Sequence, residues 1–276
     1  MKNVAEPWNN KRYPEIGATH TEAVRIRKLL GEGSSGEEGL CVLDGYWALE
    51  KAANAGMKIL TFVFCPELLE SGEAERLFER YVLLADNVFS VSKKTYARLT
   101  DRDDLVGMTA LAEFPHWTEK DLEKARLIVI LDGLETPGNI GTVLRTCDGA
   151  AVDGVMVVNR KARTKSQKVI KASMGAAFTV PMVEFENTDD CRRWLFEHGF
   201  SVYLADTRAL RDYDTEPYRF PAALVAGSER YGISKDWYDG HENMIKIPMR
   251  GVSDSLNVGV AASIFLYEMS QRLHAE

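Results

Sequence analysis

Two periodicities alternate along this chain. Apolar runs of five or six residues, the signature of strands buried on both faces, are separated by stretches whose apolar positions recur every three to four residues, as on one face of a helix. Residues 1–36 are largely polar, and Val24, Ile26, Leu29 and Leu30 set a short helix over Thr21 to Leu30 before the glycine-serine stretch GEGSSGEEG. That segment is expected to be an N-terminal extension and linker. From Leu40 the order is strand LCVLD, helix GYWALEKAANAG closed by Gly56, strand ILTFVF, a helix over 73–85 carrying Ala74, Leu77, Phe78 and Tyr81, strand NVFSVS, a helix over 93–100 and strand GMTALAEF.

A second series follows a polar connector. RLIVIL (126–131) begins it as a β-branched strand, followed by a helix over 139–150, strand GVMVV, a helix near 165–176, strand FTVPMV and a helix over 188–198. Strands SVYLAD, AALVAG and NMIKIPM and a final helix over 258–273 complete it. Buried strands alternating with helices predict an α/β fold with a mostly parallel sheet covered on both faces. The expected organisation is an extension over 1–36, a small α/β domain over 37–117, a connector over 118–125 and a larger α/β domain over 126–276.

Composition narrows the function. The longest apolar run, Val258 to Tyr267, is far below the ~20 residues that span a bilayer. The first seventeen residues lack the apolar core of a secretory signal, so a cytoplasmic protein with no membrane partner is expected. The four cysteines and five histidines are scattered without metal-ligand spacing, which predicts core thiols and no metal site. A net charge of −7 argues against a nucleic-acid partner until its distribution is read. Between 159 and 173, Arg160, Lys161, Arg163, Lys165, Lys168 and Lys171 stand without an acid. They form either a solvated face or a phosphate-contacting patch.

Three stretches, each following a buried strand, carry candidate chemistry, because open α/β sheets bind ligands at the carboxyl ends of their strands. LDGLETPGNIGTVLRTC (131–147) fails as a P-loop, since Asn139 and Ile140 stand where Lys-Ser/Thr is needed, and it fails as a dinucleotide fingerprint. What remains is Asn139 at the mouth of a helix, suited to capping, with Arg145 six residues on, about 9 Å along the axis. ALVAGSERYGIS (223–234) places Glu229 between Gly227 and Gly232, which allows close backbone approach to a ligand or merely a tight turn. IPMRGVSDSLNVGVAASIFLYE (247–268) sets Ser255 and Asn257 before a helix lined by Gly259, Ala261, Ala262 and Ser263.

Taken in order, Asn-x-Gly-x-x-x-Arg, Gly-x-Glu-x-x-Gly and Ile-Pro-Met-x-Gly followed by Ser-Leu-Asn-Val resemble the SpoU/TrmH family of the SPOUT superfamily, RNA ribose 2′-O-methyltransferases that use S-adenosylmethionine. The resemblance covers roughly residues 126–272, including KASMGAAFTVP; residues 37–117 are similar to the family's ribosomal-protein-like substrate-binding domain. It implies a trefoil-knotted α/β domain, cofactor contacts at Gly227, Ile247 and Leu256, and a catalytic set of Asn139, Arg145, Glu229, Ser255 and Asn257. It also implies a homodimer built on the final helix, suited to that helix's small-residue face; the acidic net charge in turn confines the expected RNA contact to the 160–171 patch and to Arg208, Arg211, Arg230 and Arg250, doubled by a dimer.

On this reading the enzyme orients a ribose hydroxyl toward a sulfonium methyl and stabilises the developing alkoxide, with no metal. A guanidinium stays charged in proteins, so Arg145 is expected to anchor a phosphate and the nascent alkoxide rather than to act as a base. Asn139 and Ser255 would orient the sugar, and Glu229 would hold the loop or Arg145. The extra N-terminal domain favours rRNA over tRNA. The competing expectations are a cofactor-binding but non-catalytic RNA assembly factor, a tRNA ribose methyltransferase, and methylation of a guanine nitrogen.

Overall fold

The computed structural model describes residues 8, 12–31, 39–69, 72–100, 105–238 and 243–275. The chain divides into two compact units, Met1–His116 and Trp117–Glu276. In the first, α1 (Thr21–Leu30), β1 (Leu40–Asp44), α2 (Tyr46–Asn54), β2 (Ile59–Phe64), α3 (Glu73–Leu84), β3 (Ala85–Ser90), α4 (Lys93–Thr100) and β4 (Met108–Glu113) succeed one another. The four strands form a mixed sheet in the order β1-β4-β2-β3, antiparallel on both sides of β4 and parallel between β2 and β3. Within 1–36, expected as an extension, Ile16, Ala23 and Ile26 are buried with Val42, Val63, Tyr96 and Leu111. The apolar face of α1 is too large to leave in water, so the helix joins this core. Most of the glycine-serine stretch, 32–38, lies outside the described residues.

The second unit runs β5 (Leu127–Asp132), α5 (Pro137–Gly149), β6 (Gly154–Val158), α6 (Gln167–Ala172), β7 (Met182–Glu184), α7 (Thr188–Glu197), β8 (Ser201–Ala205), β9 (Arg211–Asp212), β10 (Ala222–Gly227), β11 (Asn243–Lys246) and α8 (Val258–Ala275). Its seven strands lie in the order β7-β6-β5-β10-β8-β11-β9, and every pairing is parallel. Side chains alternate across the sheet. Ile128, Ile130, Met156, Leu204 and Val225 pack with Cys191, Trp194 and Leu195 of α7, while α8 contacts β5, β8 and β10 and also packs against α5.

Two expected strands are shorter in the structure. In FTVPMV, Phe178 ends a 3₁₀ turn and only Met182–Glu184 is strand, because Pro181 has no N–H to give a ladder. NMIKIPM stops at Lys246 ahead of Pro248 for the same reason. The two-residue strand β9 is too short to leave an alternation in the sequence.

Glycines set the tightest helix contact of this unit. A Cβ on Gly141 would collide with the Cβ of Ala172 and sit 2.9 Å from the Ser173 amide, so this position of the Asn-x-Gly motif lets α5 lie against α6 rather than against a ligand. Gly259 of α8 similarly meets Thr142 of α5, and the Ser263 and Thr146 hydroxyls share a hydrogen bond of 2.7 Å. The small-residue face expected at a subunit interface is thus partly consumed within the chain, because two helices bearing Gly, Ser and Thr approach more closely than larger side chains permit. Val260 and Tyr267 of α8 are the apolar side chains left about half exposed. All four cysteines are free and buried, and burial pushes the Cys41 thiol up to about 12.

Candidate active site

The carboxyl ends of β5, β10 and β11 bring the three motifs of the second unit together. The chain after β10 folds back on itself: the Ser228 and Gly232 amides each donate to the other's carbonyl, at 3.0 and 2.9 Å, and the Tyr231 amide donates to Ser228 Oγ at 3.0 Å. A Cβ on Gly227 would overlap the backbone of Gly232 and Ile233, so that glycine is required for the loop to close over its own strand. Asp132, buried at the end of β5, fixes the loop from below by accepting from the Ser234 amide at 2.6 Å and from Asn159 Nδ2 at 2.7 Å.

Held this way, Glu229 reaches the start of α5. Its carboxylate accepts from the amides of Glu135 (3.1 Å) and Thr136 (3.3 Å) and from Asn139 Nδ2 (2.6 Å). Burial by itself would raise this carboxyl, but those donors and its own backbone amide outweigh it and hold Glu229 below the usual glutamate range. A carboxylate at a helix N-terminus also meets the positive end of the macrodipole. Asn139 was expected to cap the helix. The helix instead starts at Pro137, with Asn139 inside its first turn and its side chain donating to a carboxylate ninety residues away in sequence.

Asn139 Oδ1 in turn accepts from Asn257 Nδ2 at 3.1 Å, and Asn257 Oδ1 accepts from the amides of Gly259 (2.9 Å) and Val260 (3.3 Å). Asn257 therefore caps α8, and the backbone amides dictate which way both asparagine side chains face. Glu229, Asn139 and Asn257, one from each motif, form a single relay with every orientation fixed.

Beside the relay lies a cavity of about 980 Å³ lined by Gly227, Glu229, Ile247, Ser255, Leu256 and Asn257, with Ile233, Ala261 and Phe265 among its apolar walls. At its other side stands a polar group of which the sequence reading named Arg208 alone, as an RNA contact. Arg208 Nε and Nη2 donate to the two Asp206 oxygens at 3.0 and 2.7 Å, and the Tyr238 hydroxyl donates to Asp206 Oδ2 at 2.6 Å. The Arg208 guanidinium, against the opposing effect of burial and with help from Tyr238, holds the Asp206 carboxyl down to about 2. Asp206 follows directly on β8, so its place at a strand's carboxyl end was a readable signal.

Arg145 does not join the relay. It is exposed on α5, lines no part of the cavity and has no hydrogen-bond or ion-pair partner among the described residues. The basic patch is partly neutralised, with Arg160 3.2 Å from Glu184 and Lys161 3.1 Å from Glu135. Arg163, Lys165 and Lys168 also have partners, whereas Lys171 and Arg250 are exposed. Arg211 pairs with buried Glu216 at 3.1 Å. Among the described residues no cluster of histidine, cysteine and carboxylate is arranged to hold a metal ion, and no helix is long and apolar enough to cross a membrane.

The model of the SpoU rRNA methylase family matches residues 126–267. A Staphylococcus haemolyticus protein assigned to the TrmH family of tRNA/rRNA methyltransferases is 41% identical over 157 residues, 57% of this chain; the chain spans 63% of that relative's length. An AdoMet-bound rRNA methyltransferase from Sinorhizobium meliloti superposes with a TM-score of 0.82 at 27% identity, over 95% of this chain and 98% of the other. A crystal structure of an RNA 2′-O ribose methyltransferase superposes with a TM-score of 0.76 at 28% identity, over 95% and 100% of the two chains.

Proposed function

The chain belongs to the SpoU rRNA methylase family, the SpoU/TrmH methyltransferases, and from that membership we propose that it transfers a methyl group from S-adenosylmethionine to a ribose 2′-hydroxyl of ribosomal RNA. The observation that carries the reading is the relay of Glu229, Asn139 and Asn257, which ties the three motifs into one site beside the cavity.

The cavity fits the cofactor by size and lining. Small-molecule pockets run to roughly 300–1,000 Å³ with mostly apolar walls and a few fixed polar groups, and Gly227, Ile247 and Leu256 line this one. Those three residues would hold S-adenosylmethionine, which when bound supplies an electrophilic methyl on a sulfonium. Glu229 has both oxygens committed to donors, so its role is to lock the loops after β5 and β10 together, not to remove a proton. Ser255, exposed at the cavity, and Asn139 would orient the ribose. Asn257 sets Asn139 and caps α8.

Arg145 carries a charge into solvent outside its own cavity, which supports a homodimer in which it serves the neighbouring subunit's site, with Val260 and Tyr267 of α8 in the interface. In that position its guanidinium would hold the phosphate beside the target ribose and stabilise the alkoxide as the hydroxyl is methylated. We read the second unit as trefoil-knotted, and the first, with its mixed four-stranded sheet, as the part that selects RNA; a unit of that kind beside the methyltransferase favours rRNA over tRNA and a cytoplasmic setting.

The test is transfer of tritium from labelled S-adenosylmethionine to unmodified rRNA and tRNA, with cofactor affinity measured by calorimetry. Arg145→Ala is expected to bind cofactor as the wild type does and to lose about 100-fold or more in kcat. Cofactor binding without transfer to any RNA would turn the reading toward a non-catalytic assembly factor.

A further inference from the structure

The loop that presents Glu229 also presents an aromatic ring to solvent. Tyr231 lines the cavity and is 66% exposed, its hydroxyl without a partner among the described residues. The ring contributes nothing to a core, yet its base is rigid, fixed by the Ser228–Gly232 bridge and by the bond from the Tyr231 amide to Ser228 Oγ. Two cations reach over it: Lys161 Nζ stands 4.9 Å and Arg230 Cζ 5.2 Å from the ring centroid. Lys161 is kept there by its ion pair with Glu135, the residue whose amide also binds Glu229. An exposed aromatic with cations at its face is the combination that binds unpaired nucleic acid: the ring stacks on a base of any identity and the cations meet the adjoining phosphates.

We propose that Tyr231, with Lys161 and Arg230, is a stacking platform for an unpaired RNA base beside the nucleotide that is methylated. The proposal rests on the RNA-methyltransferase reading above and adds to it a requirement that the target lie in a loop, bulge or single strand. A paired base cannot offer its face to Tyr231 while stacked in a helix. A single residue, Arg230, separates Glu229 from Tyr231 in the loop, which places the platform at the rim of the cavity, so a base held there brings its neighbouring ribose to the relay.

The test uses the full chain and a single-stranded oligoribonucleotide carrying 5-iodouridine, which cross-links on irradiation to an aromatic ring stacked on it. Mass spectrometry of the cross-linked peptide is expected to map the adduct to Tyr231, and the matching duplex is expected to give none there. Tyr231→Ala should bind the single strand about 5- to 150-fold more weakly, the range found when stacking aromatics are replaced by alanine. Tyr231→Phe should bind within about twofold of wild type, since the ring and not the hydroxyl stacks. Unchanged melting temperatures in both variants report intact folding.

Wild-type affinity in Tyr231→Ala, an equal loss in Tyr231→Phe, or equal cross-linking of the duplex would each overturn the platform. Methyl transfer assayed in parallel separates this idea from the one it rests on. Transfer by the wild type without the adduct sinks the platform alone, and the adduct without transfer sinks the catalytic reading alone.

Discussion

Glu229 and Asn139 sit ninety residues apart in sequence and 2.6 Å apart in space, and neither motif by itself indicates the other as its partner. Glycine, asparagine and a lone acid after buried strands were legible as candidate chemistry, because each is an unusual choice at the end of an apolar run. Their division of labour was not, since it depends on which loop closes over which. Gly227 shows the difference: read as room for a ligand, it is first of all room for the backbone of residues 232–233. Gly227→Ala is therefore expected to lower stability by about 1–3 kcal/mol, as overpacking does, and to weaken S-adenosylmethionine binding, checked by urea denaturation and calorimetry. Asp206 gives the pH signature. Its carboxyl is held down to about 2 in the folded chain, below its ordinary value of 3.8, so the unfolded chain binds more protons between those limits. The stabilisation is complete above about pH 4 and is lost as the pH falls toward 2. Asp206→Asn should cost about 1 kcal/mol at neutral pH, a modest figure because Arg208 remains largely in water. Denaturation at stepped pH should show a flatter acid limb for the variant.

Among the elements, those with long buried runs were read nearly to the residue, as with β1, β2 and the helix over 93–100. Hydrophobic periodicity fails where a strand is only two residues long, as in β9, or where proline truncates the ladder, as before β7 and after β11. It also cannot say which helix a small-residue face will meet. α5 is the clearest case: Gly141 is buried against α6 and Thr142 packs on Gly259 of α8, so the helix that carries Asn139 and Arg145 is held on two sides. Gly141→Val is expected to push α5 away from α6 and to lower the unfolding free energy by at least about 1–3 kcal/mol. Since Asn139 would move with the helix, catalysis should fall by more than stability alone explains, measured as kcat at a temperature where the variant remains folded.

At the level of the whole molecule, net charge was the least informative property. A chain of net charge −7 carries its basic side chains where they are spent partly on internal ion pairs, as at Arg160 and Lys161, so a count of cations overstates the positive field offered to RNA. The division into two units was better marked, because a new β-branched strand follows a polar connector, although the placement of α1 inside the first core was not. Residues 117–276 expressed alone are expected to unfold cooperatively and to bind S-adenosylmethionine within about twofold of the full chain, while losing about tenfold or more in RNA affinity. Calorimetry and filter binding check the two halves. The account as a whole stands on methylation at the ribose, and alkali tests it directly, because cleavage of an RNA chain requires a free 2′-hydroxyl. Unmodified rRNA labelled by the wild-type protein from tritiated S-adenosylmethionine should, after complete alkaline hydrolysis, keep its label in dinucleotides. Label released in mononucleotides would place the methyl on a base and contradict the account.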